Sequence, residues 1–530
     1  MKYVIAYDVG TTGVKTCLVS VGEKLRITGD AYGEYDLFVM EDGGAEQDAD
    51  QWWQAMCDTT RELVSRTEIS PDDIYGISFC SQMQGLVLVD REGSALRRPM
   101  SYMDQRAVKE MKECQGHGLQ ISGVNAGMLL RSLAVTHAAS TSVKDPLWKY
   151  KWVQKNEPEI FSRVYKWLDV KEYLICRCTG EFVMTRDSAY ATFLYDPRKG
   201  HECWSGPLCR MYGVDPEHLP RIIECTDVAG NLTDKAASQL GLAAGTKVYG
   251  GGGDATLIGI GAGCTKPGQT HIYSGTSGWV STVAEKQYVD ISAMIAGIVG
   301  AQSGRYNYFA EMETAGKCFQ WVKEHLALDE IGTDISQSGE SMYESLYDYL
   351  SDTVAEVPAG SGGVIFTPWL HGNRCPFEAP DAAGMFFNIK IGTGKKQMIR
   401  AVLEGICYHL RWMLECEDRK LKTSDPIRFA GGGALSDVTC QMLADITGRT
   451  IETVHNTKDV GSLGAAVLAA VGSGAVPGFD AVDGYIDVKD RFVPDPRNKE
   501  VYDLNYRVFR NLYRSNRDNF RMLNSAAKKG

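Results

Sequence analysis

The chain has 530 residues, of which 44% are hydrophobic and 23% charged. This composition is that of a globular protein, and the length predicts two domains of roughly 200 to 270 residues, because a single hydrophobic core rarely grows larger. The formal net charge of −11 gives no basic excess, so nucleic acid is not an expected partner.

The fifteen cysteines are scattered and never spaced as a CxxC pair, so neither a zinc site nor a disulfide framework is expected. Buried reduced thiols favour a reducing compartment. The first residues run directly into an apolar alternation, without the features of a signal peptide, and no apolar run reaches the length of a membrane span. The sequence therefore predicts a cytoplasmic protein with no membrane partner.

In chain order, alternating apolar residues first predict strands over residues 3–8 and 14–21, joined by the tight turn Gly10-Thr11-Thr12-Gly13. A helix is predicted over 50–66, followed by strands over 74–79 and 86–89. The stretch from about 107 to 225 contains helical segments such as 146–154, and we expect it to border a cleft. The mixture of elements predicts an α/β protein.

Near residue 248 the pattern starts again, with a strand over 247–249, four glycines, Asp254, a helix of small residues and a strand over 270–273. That strand leads into Gly275-Thr276-Ser277-Gly278, which repeats the first turn 265 positions later. The repetition agrees with two domains, 1–247 and 248–530. Further strands are predicted over 363–367 and 427–430, and helices over 397–416, 439–447, 461–471 and 498–523.

The first motif with chemical potential is the segment 8–15, with the sequence DVGTTGVK. A glycine turn lets backbone N–H groups approach phosphate oxygens, and the hydroxyls of Thr11 and Thr12 add donors. Lys15 can supply positive charge, and Asp8 can reach a hydrated Mg²⁺. The alternative is an ordinary glycine hairpin. The segment is not a Walker A loop, which needs GxxxxGK(S/T) before a helix.

The second motif is the run Gly250–Gly253 followed by Asp254. Glycines permit close approach of a substrate to the backbone, and a carboxylate at a helix start can accept a hydroxyl proton. Asp254 is therefore the candidate base. The alternative is that Asp254 is the N-cap of the following helix, a position that favours aspartate.

The third motif is Gly431-Gly432-Gly433-Ala434, which follows a predicted buried strand. Bare backbone at this place could accommodate the flat base and the ribose of a nucleotide. A helix-entry turn is the alternative of equal weight.

These motifs, in this order, resemble the FGGY family of carbohydrate kinases over nearly the whole chain, most of all its xylulokinase branch. Residues 384–389 and 397–404 follow the C-terminal signature of the family, except for Asn388 where glycine is usual. Residues 146–156 follow the N-terminal signature, from which Lys144 departs at the first position.

The resemblance implies two actin-like ATPase domains with ribonuclease-H-like cores, which close a deep cleft on ATP, Mg²⁺ and a small sugar or polyol. It implies that Asp254 is the catalytic base and that the metal is held by Asp254 and, through water, by Asp8. The implied nucleotide-binding residues are Gly10, Thr11, Thr12, Lys15, Gly275, Thr276, Gly316, Gly432, Gly433, Ala434 and Ser436. The implied substrate-binding residues are Gln82, Met83, Gln84, Asp104, Arg106 and Asp254.

Three sugar-facing positions depart from the xylulokinase pattern. Gln84 stands where histidine is usual, Tyr102 where tryptophan is usual, and Ala255 where an amide follows the catalytic aspartate. The loss of the histidine and of the amide removes hydrogen bonds that discriminate between substrates with different arrangements of hydroxyl groups, because buried polar partners are left unpaired. D-Xylulose is therefore not the expected substrate.

The leading prediction is ATP-dependent phosphorylation of a hydroxyl on a small sugar, polyol or sugar acid. The rival is a catalytically silent nucleotide-binding or regulatory protein, since a fold does not fix a function. The presence of Asp8, Lys15 and Asp254 argues against that rival. An actin-like chaperone or filament protein would leave the sugar-loop match unexplained. The sequence leaves open the sugar, the phosphorylated hydroxyl and the oligomeric state, with a homodimer as one option.

Overall fold

The computed structural model describes residues 2–121, 124–326 and 346–524. Its strands are β1 (Lys2–Val9), β2 (Gly13–Val21), β3 (Leu25–Glu34), β4 (Leu37–Val39), β5 (Ala45–Gln47), β6 (Ile74–Ser81), β7 (Val87–Val89), β8 (Gln120–Ile121), β9 (Val124–Asn125), β10 (Lys166–Leu168), β11 (Val183–Thr185), β12 (Tyr195–Asp196), β13 (Cys203–Trp204), β14 (Arg221–Ile223), β15 (Val228–Asn231), β16 (Lys247–Tyr249), β17 (Gly252–Gly253), β18 (Thr270–Ser274), β19 (Gly278–Ala284), β20 (Val289–Asp290), β21 (Ile295–Val299), β22 (Tyr306–Met312), β23 (Ile365–Thr367), β24 (Met385–Phe387), β25 (Ile427–Ala430), β26 (Ile451–Val454) and β27 (Val488–Phe492).

The helices of the described residues are α1 (Ala49–Thr67), α2 (Val108–Gln115), α3 (Ala126–Thr136), α4 (Pro146–Asn156), α5 (Pro158–Phe161), α6 (Val170–Thr179), α7 (Arg186–Ala191), α8 (Gly206–Tyr212), α9 (Asp234–Leu240), α10 (Asp254–Gly261), α11 (Gly316–His325), α12 (Leu346–Ala355), α13 (Lys395–Asp418), α14 (Asp437–Thr447), α15 (Val460–Gly472) and α16 (Lys499–Asn524). None of them is both long enough and apolar enough to cross a bilayer.

The predicted strands and helices are confirmed, with shifts at their ends that have local causes. The helix predicted over 397–416 begins earlier, at Lys395, because the side chain of Gln397 accepts the amide of Gly394 and closes the first turn. The strand predicted over 363–367 begins later, at Ile365, because Gly362 and Gly363 have φ angles of +65° and +87°. Such backbone angles lie outside the β region.

Two large sheets share one strand order. In the first sheet the order is β15-β16-β6-β1-β2-β3, with β1, β2 and β3 antiparallel and with β1 parallel to β6. In the second sheet the order is β20-β21-β22-β19-β18-β25-β26-β27, with β18, β19 and β22 antiparallel and with β18 parallel to β25. A hairpin, an antiparallel third strand and parallel partners beside the first strand therefore occur twice, as the repeated Gly-Thr turn suggested.

The two sheets are separated in the chain by α10. Strands β16 and β17 still pair with β6, so the first sheet continues to Gly253, whereas the second begins at Thr270. The separation lies a few residues later than the predicted division between residues 247 and 248, which falls inside β16.

Helix α15 connects the two halves of the molecule. It belongs to the C-terminal half but packs on β1, β2 and β6 of the first sheet and on α10. A Cβ atom at Gly261 would lie 1.8 Å from the carbonyl oxygen of Val460, and one at Gly464 would lie 2.3 Å from that of Leu257. These glycines let the two helices touch backbone to backbone, so α15 fixes the second half of α10 relative to the first sheet.

Candidate active site

The carbonyl groups of the first glycine turn, residues 10–13, accept hydrogen bonds from neighbouring parts of the protein. The hydroxyl of Tyr35 donates to the carbonyls of both glycines at 2.6 and 2.9 Å, and the Tyr35 amide donates to that of Thr12 at 3.1 Å. The side-chain amide of Gln47 donates to the Thr11 carbonyl at 2.6 Å. Among the described residues, the amide N–H groups of Thr11 and Thr12 have no hydrogen-bond partner. Such a turn offers a concavity that suits an anion.

Asp8 lies at the end of β1, beside this turn, and is paired across the hairpin with Lys15. Burial raises the pKa of Asp8, and the charge of Lys15 offsets part of that rise. The Lys15 ammonium forms an ion pair with Asp459 at 2.9 Å and donates to the carbonyl of Lys458 at 2.8 Å. A Cβ atom at Gly461 would lie 2.7 Å from the Asp8 carboxylate. The hairpin is therefore tied to the start of α15.

Asp254 is the first residue of α10, and Gly253 is the N-cap. The alternative that Asp254 is the cap is therefore wrong. Burial raises the pKa of Asp254 to about 7, partly offset by the Ala255 amide, which donates to the carboxylate at 2.7 Å. The charges of Asp8 and Glu311 add to the rise in this pKa. Two carboxylates that are 246 positions apart in the chain therefore lie close enough to repel one another.

The predicted sugar loop turns sharply at Gln84, whose φ angle is +64°. The amides of Gln84 and Gly85 donate to the two carboxylate oxygens of Asp169 at 2.8 and 2.9 Å. The ammonium of Lys149 donates to the Gln84 carbonyl at 2.7 Å. Two buried side chains, Asp169 and Lys149, thus hold the backbone of this loop in a conformation that a residue other than glycine seldom adopts.

The same loop is joined to the phosphate side and to the helix of Asp254. Gln82 donates from its side chain to that of Gln47 at 3.0 Å, and Gln47 is the residue that binds the Thr11 carbonyl. A Cβ atom at Gly253 would lie 2.1 Å from the sulfur of Met83, so Met83 lies directly against the residue before Asp254.

Asp104 and Arg106 form a pair whose side chains bind one another. The guanidinium donates to Asp104 at 2.8 Å and to Glu46 at 2.6 Å, and it stacks over Trp152 with 4.5 Å between Cζ and the ring centroid. Asp104 is fully buried and also accepts the amide of Ala45 at 2.9 Å. These contacts hold Asp104 and Arg106 in place as supports for the wall of the site.

Tyr102, from the same segment, is the residue that reaches the first turn. Its hydroxyl lies 3.4 Å from the Thr11 hydroxyl. Burial, with a further contribution from the charge of Asp254, raises the pKa of Tyr102. One of the three departures from the xylulokinase pattern thus lies between the first turn and Asp254.

The second glycine turn, residues 275–278, packs on the start of α11. The amide of Gly316 donates to the Gly275 carbonyl at 2.8 Å, and two neighbouring amides donate to the Thr276 carbonyl at 3.1 and 3.2 Å. In the part of the chain that the structure describes, the amides of Thr276 and Ser277 have no partner. The structure therefore brings Gly275, Thr276 and Gly316 together, and their role in binding the nucleotide stays a prediction.

The glycine run after β25 lies against the end of β18, next to the second turn. Gly431 has a φ angle of +90°, and a Cβ atom there would lie 2.6 Å from the carbonyl oxygen of Ser274. Gly432–Leu435 forms a short 3₁₀ turn in which Ala434 is buried, and Ser436 caps α14. The run is a helix-entry turn, and this does not conflict with a nucleotide surface.

Sequence reasoning missed the buried carboxylates that hold the site backbone. Asp169 binds the sugar loop, and Asp187 accepts the amide of Gly253 and the hydroxyl of Thr256, each at 2.8 Å. Each follows a short strand and stands at the start of a helix. An acidic residue between a short strand and a helix can be recognised in the sequence, but the amide or hydroxyl group that it binds cannot.

The carboxylates of Asp8 and Asp254 suit a hydrated Mg²⁺. Their pKa values are both raised, and a divalent cation between them would remove the repulsion. No cluster of three or more metal-ligating side chains occurs among the described residues. This donor set fits Mg²⁺ bound mainly through phosphate oxygens and water rather than an all-protein cage.

Comparison with known proteins agrees with this geometry. Residues 3–261 match the N-terminal domain, and residues 271–473 the C-terminal domain, of the FGGY family of carbohydrate kinases. The xylulose kinase of Bacillus subtilis (strain 168) is 28% identical over 531 residues, with 100% of this chain and 99% of that protein covered. The gluconokinase of the same strain is 28% identical over 522 residues, with 97% and 96% covered.

The crystal structure of ligand-bound xylulose kinase from Lactobacillus acidophilus superposes with a TM-score of 0.83 at 25% identity, covering 97% of this chain and 98% of that one. The predicted two-domain actin-like α/β fold is thereby confirmed, and the catalytically silent alternative gains no support. The predicted class of enzyme, an ATP-dependent kinase acting on a small sugar or sugar acid, is confirmed as well. The chain belongs to the FGGY family of carbohydrate kinases.

Proposed function

We propose that this kinase transfers the γ-phosphoryl group of ATP to a hydroxyl of a small polyhydroxylated substrate other than D-xylulose, with Asp254 as the base. The observation that carries the proposal is the environment of Asp254, which begins α10 and has a pKa raised to about 7 by burial, with a further rise from the charge of Asp8. A carboxylate poised near neutral pH can accept the hydroxyl proton as the phosphoryl group moves. Phosphoryl transfer otherwise depends mainly on positioning.

The two glycine turns are the proposed phosphate contacts. Thr11 and Thr12 would bind phosphate oxygens through their unpaired amides and their hydroxyls, and Thr276 would do so from the other side of the site. Gly10 and Gly275, whose amides donate within their own turns to Gly13 and Ser277, would let phosphate approach bare backbone. The nucleoside would lie along Gly316 and the run Gly432, Gly433, Ala434 and Ser436. Because the Lys15 ammonium is engaged by Asp459, its proposed role is to hold the first turn while adding positive charge nearby.

The proposed Mg²⁺ ligands are Asp254 and, through water, Asp8. When bound, the ion would neutralise charge on the transferring phosphoryl group. Asp254 would then orient the acceptor hydroxyl, and closure of the two lobes would exclude water. We place the hinge of this motion around α10, close to the predicted division at residues 247 and 248.

The proposed sugar site is formed by Gln82, Met83 and Gln84, with Asp104 and Arg106 as the supporting pair behind it. The relatives named above act on xylulose and on gluconate, so ketopentoses, polyols and sugar acids are the candidate substrates. Tyr102, Gln84 and Ala255 support the exclusion of D-xylulose, because each alters the hydrogen-bonding groups beside the acceptor.

A coupled ADP-release screen tests the proposal. Purified protein with ATP and Mg²⁺ is offered D-xylulose, other ketopentoses, polyols and aldonic acids, with Asp254→Asn as the matched variant. We expect one class to be turned over at least about tenfold better than D-xylulose, and we expect Asp254→Asn to be at least about 100-fold slower on it. An unchanged rate in that variant would remove Asp254 from its role, and preference for D-xylulose would overturn the substrate assignment.

The homodimer that the sequence left as one option and the predicted cytoplasmic location stay predictions. Light scattering tests the first of them.

A further inference from the structure

A buried carboxylate on α7 binds the start of α10 on both sides of Asp254. One oxygen of Asp187 accepts the amide of Gly253, which precedes Asp254, and the hydroxyl of Thr256, which follows it, each at 2.8 Å. The other oxygen accepts the Thr185 hydroxyl at 2.6 Å and the Ser188 amide at 2.9 Å. Asp187 is 1% exposed, so these bonds are not shared with bulk water.

The charge on this carboxylate is compensated from the same pocket. The ammonium of Lys171 donates to the hydroxyls of Thr185 and Ser188 at 2.6 and 2.7 Å, and it is paired with Glu172. Burial alone would favour the protonated acid, but the charge of Lys171 and the hydrogen bonds outweigh it and lower the pKa of Asp187. The thiol of Cys225 is a fifth donor to this carboxylate, at 3.3 Å. Asp187 is thus held as an anion, the form in which all five donors can be satisfied.

Helix α7, which carries Asp187, is itself fixed against the second sheet. Tyr190 and Val299 lie in one buried cluster, so α7 packs on β21. The side-chain amide of Gln287 donates to the Tyr190 hydroxyl at 2.6 Å and to the Gly297 carbonyl at 2.7 Å. The support behind Asp254 therefore connects with both halves of the molecule and does not move with one loop.

We propose that Asp187 is a positioning residue for phosphoryl transfer, which fixes the start of α10 so that the Asp254 carboxylate is aimed at the acceptor hydroxyl. The inference rests on the proposed role of Asp254 as base. It assigns Asp187 no contact with substrate or nucleotide. The loss of its bonds would let the first turn of α10 rotate, and a displacement near 1 Å at the reacting group is enough to cost about 100-fold in rate.

The test uses two isosteric changes and one conservative one in the full-length protein. Asp187→Asn removes the charge, and Thr256→Val removes one donor while leaving Asp187 in place. We expect kcat to fall about 10- to 100-fold in Asp187→Asn and by a smaller factor in Thr256→Val, with KM for ATP and for sugar nearly unchanged. Thr256→Ser keeps the hydroxyl and should restore kcat.

A control separates positioning from general stability. Asp445 is a buried carboxylate that accepts the amide of Asp495 and the side-chain amides of Gln441 and Asn498. Asp445→Asn should lower the Tm with kcat unchanged. If Asp187→Asn shows that same pattern, or if Thr256→Ser is as slow as Thr256→Val, the inference is overturned.

The double variant Asp187→Asn with Asp254→Asn distinguishes this inference from the proposed function. A residue that acts through Asp254 adds no further loss once Asp254 is replaced, whereas independent effects multiply. A further loss in the double variant contradicts the inference. If Asp254→Asn alone retains full activity, the proposed base is wrong. The kinetics of Asp254→Asn are therefore measured first, and those of the Asp187 variants are interpreted only if Asp254→Asn loses activity.

Discussion

The two glycine turns are held in different ways, although their sequences are nearly the same. Side chains hold the first turn, since Tyr35 and Gln47 bind its carbonyl groups. Backbone amides at the start of α11 hold the second turn. In both cases the bound groups are carbonyls and the unpaired groups are amides, so either arrangement prepares a turn for phosphate. The conformation of the first turn is therefore held by side chains that a mutation can remove, whereas that of the second is held by the close approach of two backbone segments.

The two turns also differ in what they are connected to. Gln47 contacts both the first turn and Gln82, so the first turn shares a hydrogen-bond network with the proposed sugar loop. The second turn contacts α11, and Ser274, which precedes it, contacts the glycine run that follows β25. We infer that the first turn responds to the acceptor as well as to the nucleotide, whereas the second responds to the nucleotide alone, and the predictions below test that distinction.

The largest effect is expected where the two turns converge, at Asp254. Asp8 precedes the first turn and Tyr273 precedes the second, and the pKa of Tyr273, raised mainly by burial, also responds to the charges of Asp8 and Asp254. Replacement of Asp254 by asparagine should lower kcat by about 100- to 10,000-fold, the usual contribution of a general base. Steady-state rates with the best substrate from the screen measure this, and a loss below tenfold would contradict it.

A pH effect on stability is expected next, in protein free of nucleotide and of metal. Because the pKa of Asp254 is raised from 3.8 to about 7, the folded state retains a proton that the unfolded state releases. The stabilisation from this proton is complete below pH 4 and is lost as pH rises through 7. Asp254→Asn should therefore be increasingly more stable than the parent from pH 5 to 8, by at most roughly 4 kcal/mol.

Denaturant unfolding in the presence of EDTA at pH 4 and at pH 8 measures this difference directly. Equal stability of parent and variant at both values would show that Asp254 is ionised without cost, and the electrostatic link to Asp8 would then be wrong. A constant difference at both values would indicate a packing effect instead.

The sequence was informative where the chemistry is local. The turns, the glycine run and Asp254 each lie within a few consecutive residues, and so short motifs singled them out as candidates, to which the family resemblance then assigned roles. The carboxylates that hold them could not, because Asp169 binds amides 85 and 84 positions away, and Asp187 binds one 66 positions away. Such pairs leave no local pattern in a single sequence. The end of the first sheet was also hidden: the strand over 247–249 was predicted, but as the start of the second domain, and β17 consists of two glycines without a strand pattern.

The second turn should be broken by a single methyl group. A Cβ atom at Gly316 would lie 2.5 Å from the Gly275 carbonyl oxygen, so Gly316→Ala must push the turn away from α11, at a cost of roughly 1–3 kcal/mol. We expect kcat/KM for ATP to fall about 10- to 100-fold, in proportion to that cost, with KM for the acceptor little changed. Initial rates over both substrates separate the two.

A matched control for this change is Gly392→Ala, because nothing lies within 4 Å of a Cβ atom at Gly392. That variant should retain the kinetics of the parent. If Gly316→Ala instead raises KM for the acceptor as strongly as KM for ATP, then the second turn is not specific to the nucleotide and the distinction between the two turns is lost.

The smallest effect is expected from Tyr35→Phe, which removes one hydroxyl and no volume. The Gly13 carbonyl still accepts the amide of Gly10 at 2.9 Å, so the Gly10 carbonyl alone loses its donor. The net loss should be about 1 kcal/mol, which corresponds to a few-fold rise in KM for ATP and, through Gln47, for the acceptor too. Tyr165→Phe is the control, since Tyr165 belongs to the same half of the chain but packs on Phe182, with 5.0 Å between the ring centroids. Because the first turn shares its bonds with the sugar loop, a rise confined to ATP would separate the two sites and leave Gln47 with a structural role.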